Sequence, residues 1–143
     1  MKTRSIRKNE IKQECYLVDI SGIRLGRAAV TITKLLIGKN KINRVGYVFS
    51  GDKVIVINAK NIDIYPTKRE QKKYYSHSGY PGGFKEIVFK DLLAKNPARV
   101  IESAVWGMLP KTKQGRKMFK NLRVYNDLEY KEVSSKPKII KFE

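Results

Sequence analysis

The sequence holds one histidine, His77, and one cysteine, Cys15. That limits its acid–base, nucleophilic and metal chemistry at once. A lone histidine excludes His-His metal pairs, and a lone cysteine excludes an internal disulfide framework or a cysteine-rich zinc site. Cys15 reads as a small, partly buried residue beside a strand. His77 lies in Tyr74-Tyr75-Ser76-His77-Ser78-Gly79-Tyr80, with no serine or cysteine arrangement to make it a catalytic base. There it reads as a loop imidazole, hydrogen-bonded, stacked on a base or touching a phosphate. Gly38-Lys39 resembles the end of a phosphate-binding loop. That signature needs glycine at position 33, where Thr33 stands, and serine or threonine at position 40, where Asn40 stands. No Gly-x-Gly-x-x-Gly run is present. Asp19, Asp52 and Asp63 are scattered at strand or turn ends, where carboxylates bond to turns. The expectation is a protein with no enzymatic activity, no cofactor, no metal and no small-molecule substrate.

The chemistry on offer is that of cations and aromatic rings. Lys and Arg number 31 against 13 Asp and Glu, a formal net charge of +18. Such an excess repels itself and implies a polyanionic partner. It is also unevenly spread. Residues 20–51 carry Arg24, Arg27, Lys34, Lys39, Lys41 and Arg44 with no acid, and residues 103–126 carry Lys111, Lys113, Arg116, Lys117, Lys120 and Arg123 with no acid. Lys68-Arg69-Glu70-Gln71-Lys72-Lys73 runs straight into Tyr74-Tyr75, and the first dozen residues set five cations against Glu10 alone. Solvated faces usually mix signs, whereas several basic loops on a packed body make a footprint for a phosphate backbone. Tyr74, Tyr75 and Tyr80 beside Lys72, Lys73 and Lys85 suit stacking on unpaired bases, or alternatively anchor their loop to the core. Gly79, Gly82 and Gly83 permit either a close approach of backbone to RNA or plain turns.

These residues need elements to position them. Tyr16–Ile20 reads as a short strand. From Arg24 onward, Leu25, Ala28, Ala29, Ile32, Leu35 and Leu36 fall on one face of a helix that Gly38 ends. Val54-Ile55-Val56-Ile57 is a β-branched run without alternation, as in a strand buried on both faces of a parallel sheet. Strand, helix and strand then form a right-handed crossover unit. A short turn leads to Ile62–Tyr65, which Pro66 ends, and 66–85 reads as a long loop of the functional kind. Glu86–Lys95 reads as a second helix. Pro97 opens a third, with Val100, Ile101, Ala104, Val105 and Met108 on its buried side and Trp106 in the core. Residues 111–120 begin as loop and end helical, and Leu122–Tyr125 is a last strand. Residues 1–14 are a basic arm and 127–143 a surface tail, both mobile in the free protein and ordered on RNA. The whole, 1–143, reads as a single α/β domain. The longest apolar run is far short of the ~20 residues that span a bilayer, so no membrane is expected.

Several stretches carry a resemblance. Tyr16-Leu17-Val18-Asp19, Leu25-Gly26-Arg27, Leu36-Ile37-Gly38-Lys39-Asn40-Lys41 and the run Gly51 to Ala59 are similar to the bacterial-type large-subunit ribosomal protein thirteen family. So are Lys73 to Gly83, Val105 to Lys111 and Gly115 to Tyr125, in order, over about residues 14–126. Where that family commonly has histidine, this chain has Asn40. It has Lys113-Gln114 before Gly115-Arg116 where Pro-Leu is usual, and Ser76-His77 in place of paired histidines. The resemblance implies a three-layer α/β/α sandwich around a four-stranded, mostly parallel sheet, with basic loops and terminal extensions. It implies a structural constituent of the large subunit that binds large-subunit rRNA and supports assembly, beside neighbouring ribosomal proteins and without homo-oligomerisation.

The expected rRNA-binding residues are Arg27, Lys39, Lys41 and Arg44 in the first basic run. In the central loop they are Lys68, Arg69, Lys72, Lys73, Tyr75, His77, Ser78, Gly79, Gly82, Gly83 and Lys85. In the last run they are Lys111, Lys113, Arg116, Lys117, Lys120 and Arg123. The expected location is the cytoplasmic ribosome, with an organellar one as the alternative for so Lys-, Ile- and Asn-rich a chain. The rival function is a nucleic-acid-binding regulator acting off the ribosome on messages.

Overall fold

Val54-Ile55-Val56-Ile57 has no polar side to turn to water, so it belongs in the middle of a sheet. The computed structural model, which describes residues 6–7, 10–132 and 136–140, places it there. Strand β1 (Cys15–Asp19) leads to helix α1 (Leu25–Ile37) and then to β2 (Lys53–Ile57). The chain continues through helix α2 (Pro66–Gln71), strands β3 (Lys73–His77) and β4 (Phe84–Val88), and helices α3 (Phe89–Lys95), α4 (Pro97–Met108) and α5 (Lys113–Lys120). Strands β5 (Leu122–Val124) and β6 (Lys138–Ile140) complete it. The main sheet has the order β5-β2-β1-β6 and every pairing is parallel, with Val18 beside Val56 and Val56 beside Val124. This is the α/β sandwich expected, flanked by helices.

Alternate residues of the sheet face opposite ways. Val18, Ile20, Val54 and Val56 meet the apolar stripes of α1, α3 and α4 in the main core, with Phe89 fully buried among them. Leu17, Ile55 and Ile57 face the other side, where Tyr125 and Tyr130 pack against them. The stripe on α1 is the one the spacing predicts: Leu25, Ala28, Ala29, Ile32, Leu35 and Leu36 are all buried. Gly38 ends it in the left-handed region (φ 75°), where a side chain is strained, and its N–H donates to the Leu35 carbonyl at 2.9 Å. The loop that follows returns so tightly that a Cβ on Gly51 would lie 1.9 Å from the Leu36 carbonyl oxygen. In α4, Val100, Ile101 and Val105 are buried as expected, whereas Met108 is exposed and Trp106 is half-buried against Phe119 rather than in the core.

Three expectations are corrected. Residues 66–85 are not a loop. Pro66 opens α2 rather than ending an element, because the first helical position needs no N–H. No residue of α2 is buried, so it has no apolar period to read. Lys73 to Val88 then form an antiparallel hairpin in which Tyr74 pairs with Ile87 and His77 with Phe84. Second, the helix expected from Glu86 starts only at Phe89. The β-branched pair Ile87-Val88 stays in the hairpin, and the Phe89 N–H donates to the Lys72 carbonyl at 2.8 Å. Third, Lys138–Ile140, expected in a surface tail, is an edge strand of the main sheet, three residues being too short for a periodicity. Residues 1–5 and 8–9 of the expected arm, and 133–135 and 141–143 of the expected tail, lie outside the described residues.

Candidate nucleic-acid interface

The four basic segments are brought into contact by their elements. In the loop after α1, Lys39 and Arg44 are exposed, and Ile42 between them is fully exposed. Lys41 is different. Its ammonium turns inward, donating to the carbonyls of Lys12 at 2.7 Å and Ser50 at 3.1 Å and pairing with the Asp52 carboxylate. Asp52 is 1% exposed and also accepts the Glu14 N–H at 2.9 Å. Lys41 is therefore a strut that holds the loop to the start of the sheet. Further along, the Tyr47 hydroxyl accepts the Ile6 N–H at 3.0 Å, and the Gln114 side chain donates to the Tyr47 carbonyl at 3.4 Å. Tyr47 thus joins the basic arm, this loop and α5.

In α5, Lys113, Arg116, Lys117 and Lys120 are exposed while Met118 and Gly115 are buried. Thr112 caps the helix by accepting the Gly115 N–H, and a Cβ on Gly115 would sit 1.8 Å from the Pro110 carbonyl oxygen. Lys111 lies 4.6 Å from the centre of the Trp106 ring and donates to the Trp106 carbonyl at 2.8 Å. Arg123, on β5, leans towards Glu132 at 3.7 Å.

The hairpin sorts its tyrosines by the pleat. Tyr74 stacks on Phe89 with ring centres 6.5 Å apart, and burial pushes its phenol up. It anchors the hairpin. Tyr75 and Tyr80 are exposed, and Tyr75 stacks on Phe84 at 5.6 Å. Lys73 pairs with Glu86 at 3.2 Å, and Lys85 is exposed. At the tip, Gly79 and Gly82 have positive φ (88° and 73°), and a Cβ on Gly83 would meet the Ser78 hydroxyl oxygen at 2.0 Å. The Gly79 N–H donates to Nδ1 of His77 at 2.9 Å, which leaves Nε2 as the ring's donor. His77, Ser78 and Gly79 are all exposed.

The start of α1 and helix α2 form the remaining cluster, and here a pair absent from the sequence-based set appears. The Arg24 guanidinium lies 4.3 Å above the centre of the Tyr65 ring and also donates to its hydroxyl. Lys68 stands 6.0 Å from the same ring. Between them opens a cleft of about 530 Å³, lined by Arg27, Lys68 and Lys72 as well as by Ile64, Ala104 and Met108. Lys72, held down by burial and by the neighbouring Lys68 charge, sits 5.3 Å above the Tyr74 ring. Arg69 is exposed on α2 and lines an adjoining hollow with Arg24. Arg24 was visible within the acid-free run. Tyr65 carried only the signal of an aromatic preceding proline.

Two further carboxylates are paired, Glu14 with Lys138 at 2.7 Å and Asp127 with Lys60 at 2.8 Å. No ion pair among the described residues involves Arg24, Arg27, Lys39, Arg44, Lys68, Arg69, Lys72, Lys113, Arg116, Lys117 or Lys120. No group of His, Cys, Asp and Glu among the described residues is arranged to hold a metal ion, and none of their helices is long and apolar enough to cross a membrane. Unpaired cations on several faces, exposed rings and a glycine-turned hairpin are equipment for a structured polyanion.

Residues 13–131 match the sequence profile of ribosomal protein L13. The chain is 45% identical over 139 residues to large ribosomal subunit protein uL13 of Roseiflexus sp. (strain RS-1), covering 97% of this chain and 95% of the relative. It is 49% identical to the protein of that name from Dictyoglomus thermophilum, covering 96% and 97% of the two chains. For the one from Ectopseudomonas mendocina the identity is 43% and the coverage 99% of each.

Proposed function

The chain belongs to the ribosomal protein L13 family, structural and non-enzymatic components of the large ribosomal subunit, and on that premise we propose that it binds large-subunit rRNA through its basic segments and supports subunit assembly. The observation that carries this reading is the set of exposed cations without carboxylate partners on α1, α2, α5 and the loop after α1. Rigid elements hold these charges at fixed spacings. RNA helices that repel one another can then approach with the protein between them, because each bound phosphate releases its counterion.

Specificity in this reading comes from RNA shape and from a few unpaired bases, since the A-form major groove is too deep and narrow for side chains. Lys39 and Arg44 serve one strand, and Lys113, Arg116, Lys117 and Lys120 another. The hairpin reaches out with Tyr75, His77, Ser78 and Lys85, its glycines Gly79, Gly82 and Gly83 admitting backbone close to the RNA. Lys41 contributes through the loop it holds, and Lys111 and Arg123 through the structure they hold as well as through charge. Residues 1–143 act as one unit, in the cytoplasmic ribosome beside other large-subunit proteins.

The test is binding of the purified protein to large-subunit rRNA and to unrelated structured RNA across a salt series. With ~6–10 phosphates neutralised, affinity falls by ~10³–10⁵ between 50 and 200 mM salt. The preference for rRNA persists at physiological salt. A salt slope near zero, or equal affinity for both RNAs throughout, contradicts the reading.

A further inference from the structure

The cleft between the first turn of α1, helix α2 and the end of α4 is built differently from the rest of the basic surface. Other hollows that the cations line also carry a carboxylate, such as Asp63 and Glu70 beside Arg69 or Glu132 beside Lys120 and Arg123. Here they rim a concave space with an apolar floor of Ile64, Ala104 and Met108, and Met108 is exposed to solvent within it. An exposed methionine beside an exposed tyrosine gains nothing from phosphate. It gains from contact with a flat, weakly polar group. The volume, about 530 Å³, lies within the range of small-ligand sites, and none of the residues lining it is acidic.

The aromatic wall is already fixed. Arg24 stacks over Tyr65 and donates to its hydroxyl, so the ring is held on two sides without being covered: Tyr65 remains 50% exposed. Lys68 and Lys72 stand on the same rim with no carboxylate partner among the described residues, and Lys72 is partly desolvated with a like charge beside it. A bound anion offsets both costs at Lys72 by its direct attraction to the ammonium. One occupant matches the ring, the apolar floor and the cationic rim together: a nucleotide whose base has left its stack and whose own phosphate follows it.

We propose that this cleft receives a single unpaired nucleotide of the bound RNA, its base against Tyr65 and the Ile64–Ala104–Met108 floor and its phosphate on Lys68, Lys72 and Arg27. The inference rests on the rRNA-binding reading and adds a base-level contact to it. Stacking and cationic contacts separate experimentally, because losing a stacked base lowers affinity without changing the number of counterions released.

The experiment uses the full chain and large-subunit rRNA transcribed with 4-thiouridine. Irradiation followed by peptide mass spectrometry is expected to find RNA attached within residues 62–72. In parallel, Tyr65→Leu is expected to weaken binding roughly tenfold at every salt concentration with the salt slope unchanged. Lys68→Gln is expected to reduce the slope. If wild-type protein shows no salt-dependent rRNA binding, the underlying reading has failed. If it binds, but 62–72 carries no RNA and Tyr65→Leu binds as wild type does, the cleft proposal alone has failed. Should Tyr65→Leu not fold, judged by circular dichroism, the attachment result decides. Attachment of 62–72 to a neighbouring protein in isolated subunits, with none to RNA, assigns the cleft to a protein and overturns the proposal.

Discussion

Two lysines two positions apart do opposite work. Lys39 projects into solvent, whereas Lys41 is spent on Asp52 and on two backbone carbonyls. Lys39→Gln is expected to leave the melting temperature nearly unchanged, within ~0.5 kcal/mol, and to lower the salt slope of RNA binding by roughly 0.7–0.9. Lys41→Met leaves a buried carboxylate uncompensated and is expected to cost about 3 kcal/mol in denaturant unfolding, the low end for a buried pair because Lys41 is partly exposed. If both variants unfold alike, the distinction is wrong. The charge runs that contain these residues are plain in the sequence, but their division of labour is not. Asp52 reaches Lys41 only because Gly38 and Gly51 let the chain fold back on the end of α1. Gly51→Ala drives a methyl into the Leu36 carbonyl and is expected to lose ~1–3 kcal/mol in the same assay. Wild-type stability for that variant would mean that the loop shifts without cost.

Among the elements, those that bury a regular stripe or an unbroken β-branched run were legible: β1, α1, β2 and α4 lie where spacing predicts them. The ones that escaped have little buried surface. Helix α2 has none, the hairpin exposes most of both faces, and β6 is three residues long. Their positions follow from tertiary partners that no local window contains. For β6 the partner is a polar clasp, in which Lys138 donates to Glu14 at 2.7 Å and the Tyr16 hydroxyl donates to the other Glu14 oxygen at 2.6 Å. The Lys138 bond, and then that from Tyr16, hold the Glu14 carboxyl below its ordinary value, while Tyr16 is pushed up to about 12 by the Glu14 bond and by burial.

The signs follow by linkage. Glu14's contribution is present above its ordinary value and is lost as acid takes the pH through the lowered one. Tyr16's is complete below about 10 and is lost as the pH rises through about 12. Hydrogen exchange at 138–140 is therefore expected to be slowest, relative to the intrinsic rate, between these limits, and Glu14→Gln to accelerate it at neutral pH. Spectrophotometric titration is expected to find one phenol near 12 that returns towards 10 in that variant. Exchange at β6 indifferent to Glu14→Gln would dissolve the clasp.

For the molecule as a whole, a charge of +18 on 143 residues sets two effects of salt against each other. Added salt screens the repulsion among unpaired cations and so stabilises the free protein, while it weakens the attraction to RNA. From 20 to 300 mM salt the melting temperature of the free protein is expected to rise by several degrees while its affinity for rRNA falls by orders of magnitude. Parallel trends in both measurements would show that the cations are neutralised within the fold.

The sheet order has a consequence in time. Lys138 and Glu14, which meet at the edge of β1, are 124 residues apart in the chain. During synthesis β1 and β2 can pair, and α1 can pack on them, long before the strand that closes the other side exists. For that interval the outer backbone groups of β1 are an open template for any extended segment nearby. Delay between those two moments, rather than any weakness of the finished fold, sets how long a newly made chain stays vulnerable to mispairing.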